Sequence, residues 1–210
     1  MIVAIDGPAG AGKSTVARRL AERLQFGYLD TGAMYRALTW LALQQAFDLS
    51  DGERLGRLAR EHPISFEGER VFILGTDVTA AIRRTQVDRM VPVVARHPQV
   101  REVMRERQRD LGHDGDVVIE GRDIGTVVAP DAEVKVYLVA DPKVRAQRRL
   151  AERPEIGGDA LATDLRLRDE SDAARMRPAA DAHEIDTTGL QVGDVVDQIE
   201  KLVRAVRQPA

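Results

Sequence analysis

The segment Gly7-Pro8-Ala9-Gly10-Ala11-Gly12-Lys13-Ser14 fits the phosphate-loop spacing G-x-x-x-x-G-K-[ST]. Its flanks make it more constraining than any other stretch of the chain. The apolar run Ile2-Val3-Ala4-Ile5 precedes it, and the helical pattern Thr15-Val16-Ala17-Arg18-Arg19-Leu20-Ala21-Glu22-Arg23-Leu24 follows. Strand, tight loop and helix in that order form the repeating unit of an α/β sheet. Glycines let successive N–H groups curl inward around an anion, and the helix start adds its positive end at the same point. Residues 7–15, through Thr15, are therefore candidates for holding the phosphates of a nucleoside triphosphate. Lys13 would reach the β- and γ-phosphates, and the Ser14 hydroxyl would hold Mg²⁺.

A chain of 210 residues is expected to form a single domain with a sizeable core. No run approaches the roughly 18 apolar residues of a membrane span. There is no cysteine, which excludes disulfides and thiolate metal sites. No basic segment precedes Ile2, so a cleaved signal peptide is not expected and the cytoplasm is the default compartment. The net charge of −3 gives no global pull toward nucleic acid, and 4% aromatic residues leave little stacking capacity. Of the 31 basic residues 27 are arginine, the residue that grips phosphate bidentately.

Short apolar runs alternate with amphipathic helices, which predicts a parallel sheet with helices on both faces. Strands are expected near 2–6, 27–29, 116–120, 134–139 and 183–186. Helices are expected near 13–25, 32–46, 51–60, 98–111, 142–152, 160–175 and 192–206. One stretch breaks this rhythm. Residues 62–75 alternate in hydrophobicity, turn at Gly68 and alternate again, predicting an antiparallel hairpin with a third short strand near 77–79. The insertion is taken as 61–95, with a small sheet of its own. Pro154 and Gly157-Gly158 then introduce a charged helix that ends at Arg177-Pro178, a pattern suited to a lid over 153–177. The core would comprise 1–60, 96–152 and 178–210.

Phosphoryl transfer requires donor and acceptor in line, with positive charge around the moving group. Open α/β sheets bind ligands at the carboxyl ends of their strands. Two segments leave strands there: Asp30-Thr31-Gly32-Ala33-Met34-Tyr35-Arg36 and Glu120-Gly121-Arg122-Asp123, with Gly121 permitting a sharp turn. Thr31 also reads as a helix cap. Arg168, Asp172 and Arg175 share one helical face of the lid, where intrahelical ion pairing is the competing explanation. No strong general base is required, because an acceptor phosphate is largely dianionic at neutral pH, its second pKa being about 6.

The strings G-P-A-G-A-G-K-S, D-T-G-A-M-Y-R, E-G-R-D-I-G-T-V-V and R-x-x-x-D-x-x-R, with the three-stranded insert ending at Ile82-Arg83, resemble the bacterial cytidylate kinases, which phosphorylate CMP and dCMP with ATP. The resemblance extends to the closing Ile185-Asp186-Thr187-Thr188. It implies a P-loop NTPase fold, a five-stranded parallel sheet with an antiparallel insert that binds the nucleoside monophosphate, and a helical lid. It further implies that Arg36 and Arg122 hold the acceptor phosphate, while Arg101 and Asp123 read the cytosine edge. Thr31 stands where the family commonly has serine, and it keeps the hydroxyl needed for CMP binding. Arg168 and Asp172 would contact the sugar, Arg175 the phosphates, and Arg145 with Arg149 the donor side. Lys13, Arg122, Asp123 and Arg175 would carry catalysis, with Glu120 and Asp123 ordering Mg²⁺ through water. One position departs: Pro92 replaces a serine that helps to recognise the base, and proline cannot donate.

ATP and CMP or dCMP are thus the expected partners of a monomer acting in pyrimidine nucleotide metabolism, with no nucleic acid or membrane involved. The competing expectations are a kinase for UMP, AMP, dTMP or a small metabolite such as shikimate. A guanine-reading switch is a further one, although its N-K-x-D motif cannot occur in a chain without asparagine.

Overall fold

The structure is a computed structural model describing residues 1–113, 115–152, 158–173 and 176–207, with the backbone alone at 159, 160 and 168. It divides into two compact units, Met1–Leu29 with Gly112–Ala210, and Asp30–Leu111.

The first unit is built on a five-stranded sheet. Its strands are β1 (Ile2–Asp6), β2 (Gly27–Asp30), β6 (Val117–Glu120), β7 (Val134–Val139) and β8 (His183–Asp186), in the order β2-β6-β1-β7-β8. The pairings of β1 with β6 and β7, and of β7 with β8, are parallel. The central strands are continuous apolar runs because both of their faces are covered. Val3, Ala4, Ile5, Val118, Ile119, Val136 and Leu138 are all almost fully buried. Helices α1 (Lys13–Leu24) and α8 (Val192–Arg207) close one face. Val16, Leu20, Val195, Ile199 and Val203 form a single core with the strands. Helix α6 (Pro142–Glu152) leads toward α7 (Gly158–Asp172). Register fixes the site, since Ile5 pairs with Glu120 and Asp6 with Tyr137. The phosphate loop and the E-G-R-D turn therefore leave neighbouring strands at the same end of the sheet.

The second unit holds α2 (Thr31–Gln44), α3 (Gly52–Glu61), the antiparallel strands β3 (Ile64–Glu67), β4 (Arg70–Ile73) and β5 (Thr76–Asp77), α4 (Thr85–Ala95) and most of α5 (Pro98–Gly112). The hairpin forms as expected: Glu67 faces Arg70 across a turn in which Gly68 has φ 60°. Helix α4 was not expected. A proline inside an apolar pattern reads as a helix stop, yet Pro92 lies within this helix. Burial of Val87, Val91 and Val94, spaced i, i+4, i+7, holds it in place despite the lost N–H.

Candidate functional site

The phosphate loop begins where β1 ends. Gly7, Gly10 and Gly12 have φ of 145°, 78° and 93°, all in the range that L side chains rarely adopt. Gly12 caps α1 without offering a side-chain acceptor, so the first N–H groups of α1 remain available to an anion. Lys13 Nζ donates to the Pro8 carbonyl at 2.9 Å, arching over the loop. Ser14 and Thr15 are exposed, while Ala9 and Ala11 are buried. Helix α6 backs the loop so closely that a Cβ at Gly10 would lie 3.0 Å from the Arg145 carbonyl oxygen.

Three arginines of this unit gather around the loop's backbone. Arg122 Nη1 donates to the Gly7 carbonyl at 2.7 Å, and its Nε lies 3.4 Å from Asp172 Oδ2. Arg145 Nη1 donates to the Ala9 carbonyl at 3.1 Å and pairs with Asp169 at 2.7 Å. Its buried Nε has no hydrogen-bond partner among the described residues. The third was missed in the sequence. Arg148 donates to the Thr187 hydroxyl at 2.9 Å and the Thr187 carbonyl at 2.6 Å, while that hydroxyl donates to the Ala11 carbonyl at 3.0 Å. The threonine of the closing I-D-T-T string was its only sequence signal. Arg149, expected on the donor side, pairs with Glu152 at 2.8 Å.

The E-G-R-D segment bends directly after β6. Gly121 donates to the Ile5 carbonyl at 3.0 Å, and the chain bends from Gly121 through Asp123. A single π-helical turn, Ile124–Val128, follows Asp123. Glu120 is buried and accepts the Tyr28 hydroxyl at 2.8 Å. The turn is held by Asp6, whose Oδ1 and Oδ2 accept the N–H groups of Ile124 and Gly125, each at 2.8 Å. Asp6 escaped sequence reading, although a carboxylate ending an apolar strand directly before Gly7 was visible.

Burial raises the Asp6 carboxyl from 3.8 to about 6, with the two N–H groups opposing the shift. Between these values the folded chain holds a proton that the unfolded chain has released. The contribution of Asp6 to stability therefore grows as pH falls through about 6 toward 4 and is smallest above 6. The difference in Tm between the wild type and Asp6→Asn, followed from pH 7.5 to 4.5, is expected to move in favour of the wild type as pH falls. A flat difference would show that the carboxyl titrates as if exposed.

In the second unit Asp30, not Thr31, caps α2, its Oδ1 accepting the Ala33 N–H at 2.8 Å. Its Oδ2 pairs with Arg36 Nη2 at 2.8 Å, which aims the guanidinium from the first turns of the helix. Thr31 is the buried first residue of α2. Arg101 lies in the first turn of α5, half-buried, its carbonyl accepting Arg105 Nε at 3.2 Å. The lid reading meets the structure only in part. Helix α7 is present and Asp172 meets Arg122, but the Arg168 side chain and Arg175 lie outside the described residues. Intrahelical pairing does occur on α7, between Arg166 and Glu170 at 2.8 Å.

Comparison with known proteins adds independent findings. The family model described as cytidylate kinase matches residues 3–205. A cytidylate kinase of Bacillus subtilis (strain 168) is 47% identical over 98% of this chain and 96% of its own. One of Shouchella clausii is 48% identical over 96% of this chain and 95% of its own. A Synechococcus protein described as a bifunctional pantoate ligase/cytidylate kinase is 48% identical over 97% of this chain, a match covering 40% of that longer protein. Among solved structures, a shikimate kinase from Bacteroides thetaiotaomicron aligns with a TM-score of 0.53 at 17% identity, covering 97% of this chain and 98% of that one. A likeness at that identity is one of fold.

Proposed function

The chain belongs to the cytidylate kinase family, and from this premise we propose how its residues divide the reaction. The protein transfers the γ-phosphoryl group of ATP to CMP or dCMP, giving ADP and CDP or dCDP. An acceptor phosphate oxygen forms a bond to the γ-phosphorus while the bond to the β–γ bridging oxygen breaks. The acceptor oxygen is already anionic, so positioning and positive charge carry the rate.

In our reading residues 7–15 hold the donor phosphates, with Lys13 on the β- and γ-phosphates and Arg145 and Arg149 on the donor side. Arg36 and Arg122 grip the acceptor phosphate, Arg168 and Asp172 the sugar, and Arg175 the phosphates. Arg101 and Asp123 read the base. Cytosine presents acceptors at N3 and O2 and a donor at its 4-amino group, which a guanidinium and a carboxylate complement. Arg122 carries this reading furthest, because its anchor on the Gly7 carbonyl supports a grip preset against the donor loop. The oxygen donors of Ser14, Glu120 and Asp123 suit Mg²⁺, which favours hard ligands and retained waters. The ion would neutralise charge on the β- and γ-oxygens. No helix among the described residues is long and apolar enough to cross a membrane. We read the protein as a cytoplasmic monomer of pyrimidine metabolism, supported by a fold that needs no cysteine.

Pro92 sets the test of the base reading. Without a serine there, discrimination falls to Arg101 and Asp123. Uracil reverses the 4-position to an acceptor and leaves Asp123 unpaired. A coupled assay with Mg-ATP against CMP, dCMP, UMP, AMP, dTMP and shikimate is expected to show turnover of both cytidine monophosphates. UMP should react measurably, at least about 10-fold less efficiently. Equal kcat/KM for CMP and UMP would show that these two residues do not read the base.

A further inference from the structure

We propose that Asp6 is a positioning residue for the acceptor grip: its carboxylate fixes the backbone directly after Asp123, while its neighbour Gly7 fixes the Arg122 guanidinium. The inference rests on the reading that Arg122 and Asp123 hold the acceptor. Its consequence is that the strand carrying the donor loop also sets the acceptor side of the reaction.

The geometry is specific. Asp6 is 6% exposed, and each carboxylate oxygen accepts one backbone N–H, from Ile124 and Gly125, at 2.8 Å. Two charge-assisted bonds from adjacent amides allow the turn little freedom in position or tilt. Gly7, the next residue, accepts from Arg122 Nη1 at 2.7 Å. Two consecutive residues of β1 and its loop thus hold the 122–125 segment at both ends, by the side chain of one and the carbonyl of the other.

Two further observations fit this role. A Cβ at Gly125 would lie 3.2 Å from Lys135 Cδ and 3.5 Å from Asp6 Oδ2, so the side-chain-free residue stands where the carboxylate approaches. The clamped segment is also a π-helical turn, in which Val127 and Val128 both donate to the Asp123 carbonyl, at 2.9 and 3.3 Å. Such turns are rare and concentrate at functional sites. An apolar residue would end a buried strand at lower cost than a carboxylate, so stability alone does not account for Asp6. The charged and titratable groups that face it are Lys13 on the loop, Asp123 on the turn and Tyr137 on β7, with the Lys135 side chain against Gly125.

The test compares steady-state kinetics of the wild type, Asp6→Asn, Arg122→Lys and Asp123→Asn, with Tm as a control for folding. For Asp6→Asn, kcat/KM for CMP is expected to fall about 10- to 100-fold, the scale of an ångström-sized misplacement. KM for ATP should stay within about 2-fold, because Asp6 donates nothing to the donor phosphates. Losses that fall equally on ATP and CMP, or no loss, would overturn the positioning role. If Arg122→Lys and Asp123→Asn leave KM for CMP unchanged, the acceptor assignment falls and the positioning role falls with it. If Asp6→Asn does not fold, amide exchange in the wild type decides. Strong protection of the Ile124 and Gly125 N–H groups supports the clamp, and exchange as fast as in exposed loops overturns it.

Discussion

Replacing Lys13 with Met is expected to lower kcat at least about 10³-fold while leaving the fold intact. Methionine keeps a similar unbranched, flexible side chain and removes the ammonium group, its charge and its N–H donors. Lys13 is half-buried at the start of α1 and makes a hydrogen bond to Pro8 within its own loop, so its loss opens no cavity in the core. What disappears is a cation placed where charge shifts toward the β–γ bridge during transfer. Preorganised groups of this kind contribute about 2.7–4 kcal/mol each even when uncharged. A cation on the moving phosphoryl group belongs at the upper end of that range. Tm should stay within about 2 °C of the wild type. Turnover near the wild-type level would falsify the phosphate-loop assignment.

Among the glycines whose surroundings are described, Gly7→Ala is expected to be the most damaging single-methyl change. Gly7 has φ 145°, and a Cβ there would lie 2.2 Å from the carbonyl oxygen of Leu138 and 3.2 Å from its carbonyl carbon. The obstacle is backbone of the central strand β7, which cannot swing away as a side-chain tip would. Leu138 is itself fully buried. Strain at a disallowed φ and displacement of a core strand together should cost at least about 4 kcal/mol. For a chain of this size that lowers Tm by roughly 10 °C or more, and soluble yield should fall with it. Activity would be lost too, since Gly7 supplies the carbonyl that holds Arg122. A variant melting within about 2 °C of the wild type would show that the ends of β1 and β7 do not close as tightly as the structure places them.

The two substitutions separate what was legible in the sequence from what was not. Lys13 was readable because its role is local, set by the six preceding residues whose spacing makes the loop. The three inner strands β1, β6 and β7 were readable for a related reason, since parallel strands buried on both faces are mostly apolar runs. The hairpin at Gly68 announced itself by alternation and a turn residue. Helix α4 did not, because Pro92 removes an N–H and reads as a stop, whereas Val87, Val91 and Val94 gain more from burial than that bond is worth. The cap of α2 was misassigned by one residue for a smaller reason. Asp and Thr both cap helices well, and only geometry shows that the Asp30 carboxylate also holds Arg36.

The residues hardest to read were those whose partners lie far along the chain. Asp6 meets Ile124 and Gly125 across 118 and 119 positions, and Arg145 meets the Ala9 carbonyl across 136. Thr187 reaches Ala11 across 176. No local pattern encodes such pairs. They exist because β1 lies between β6 and β7, and β8 beside β7, so that four chain segments end at one edge.

By itself, then, the sequence determined the phosphate loop, the class of sheet around it, the inserted hairpin and the candidate arginines, because spacing, periodicity and turn chemistry act over a few residues. The tertiary structure alone decided which carbonyl each arginine rests on, and it made Asp6 the clamp of the E-G-R-D turn. The physical reason is strand order: hydrogen bonds between neighbouring strands, and burial of both sheet faces, bring distant residues within hydrogen-bond reach where the chain gives no hint of it.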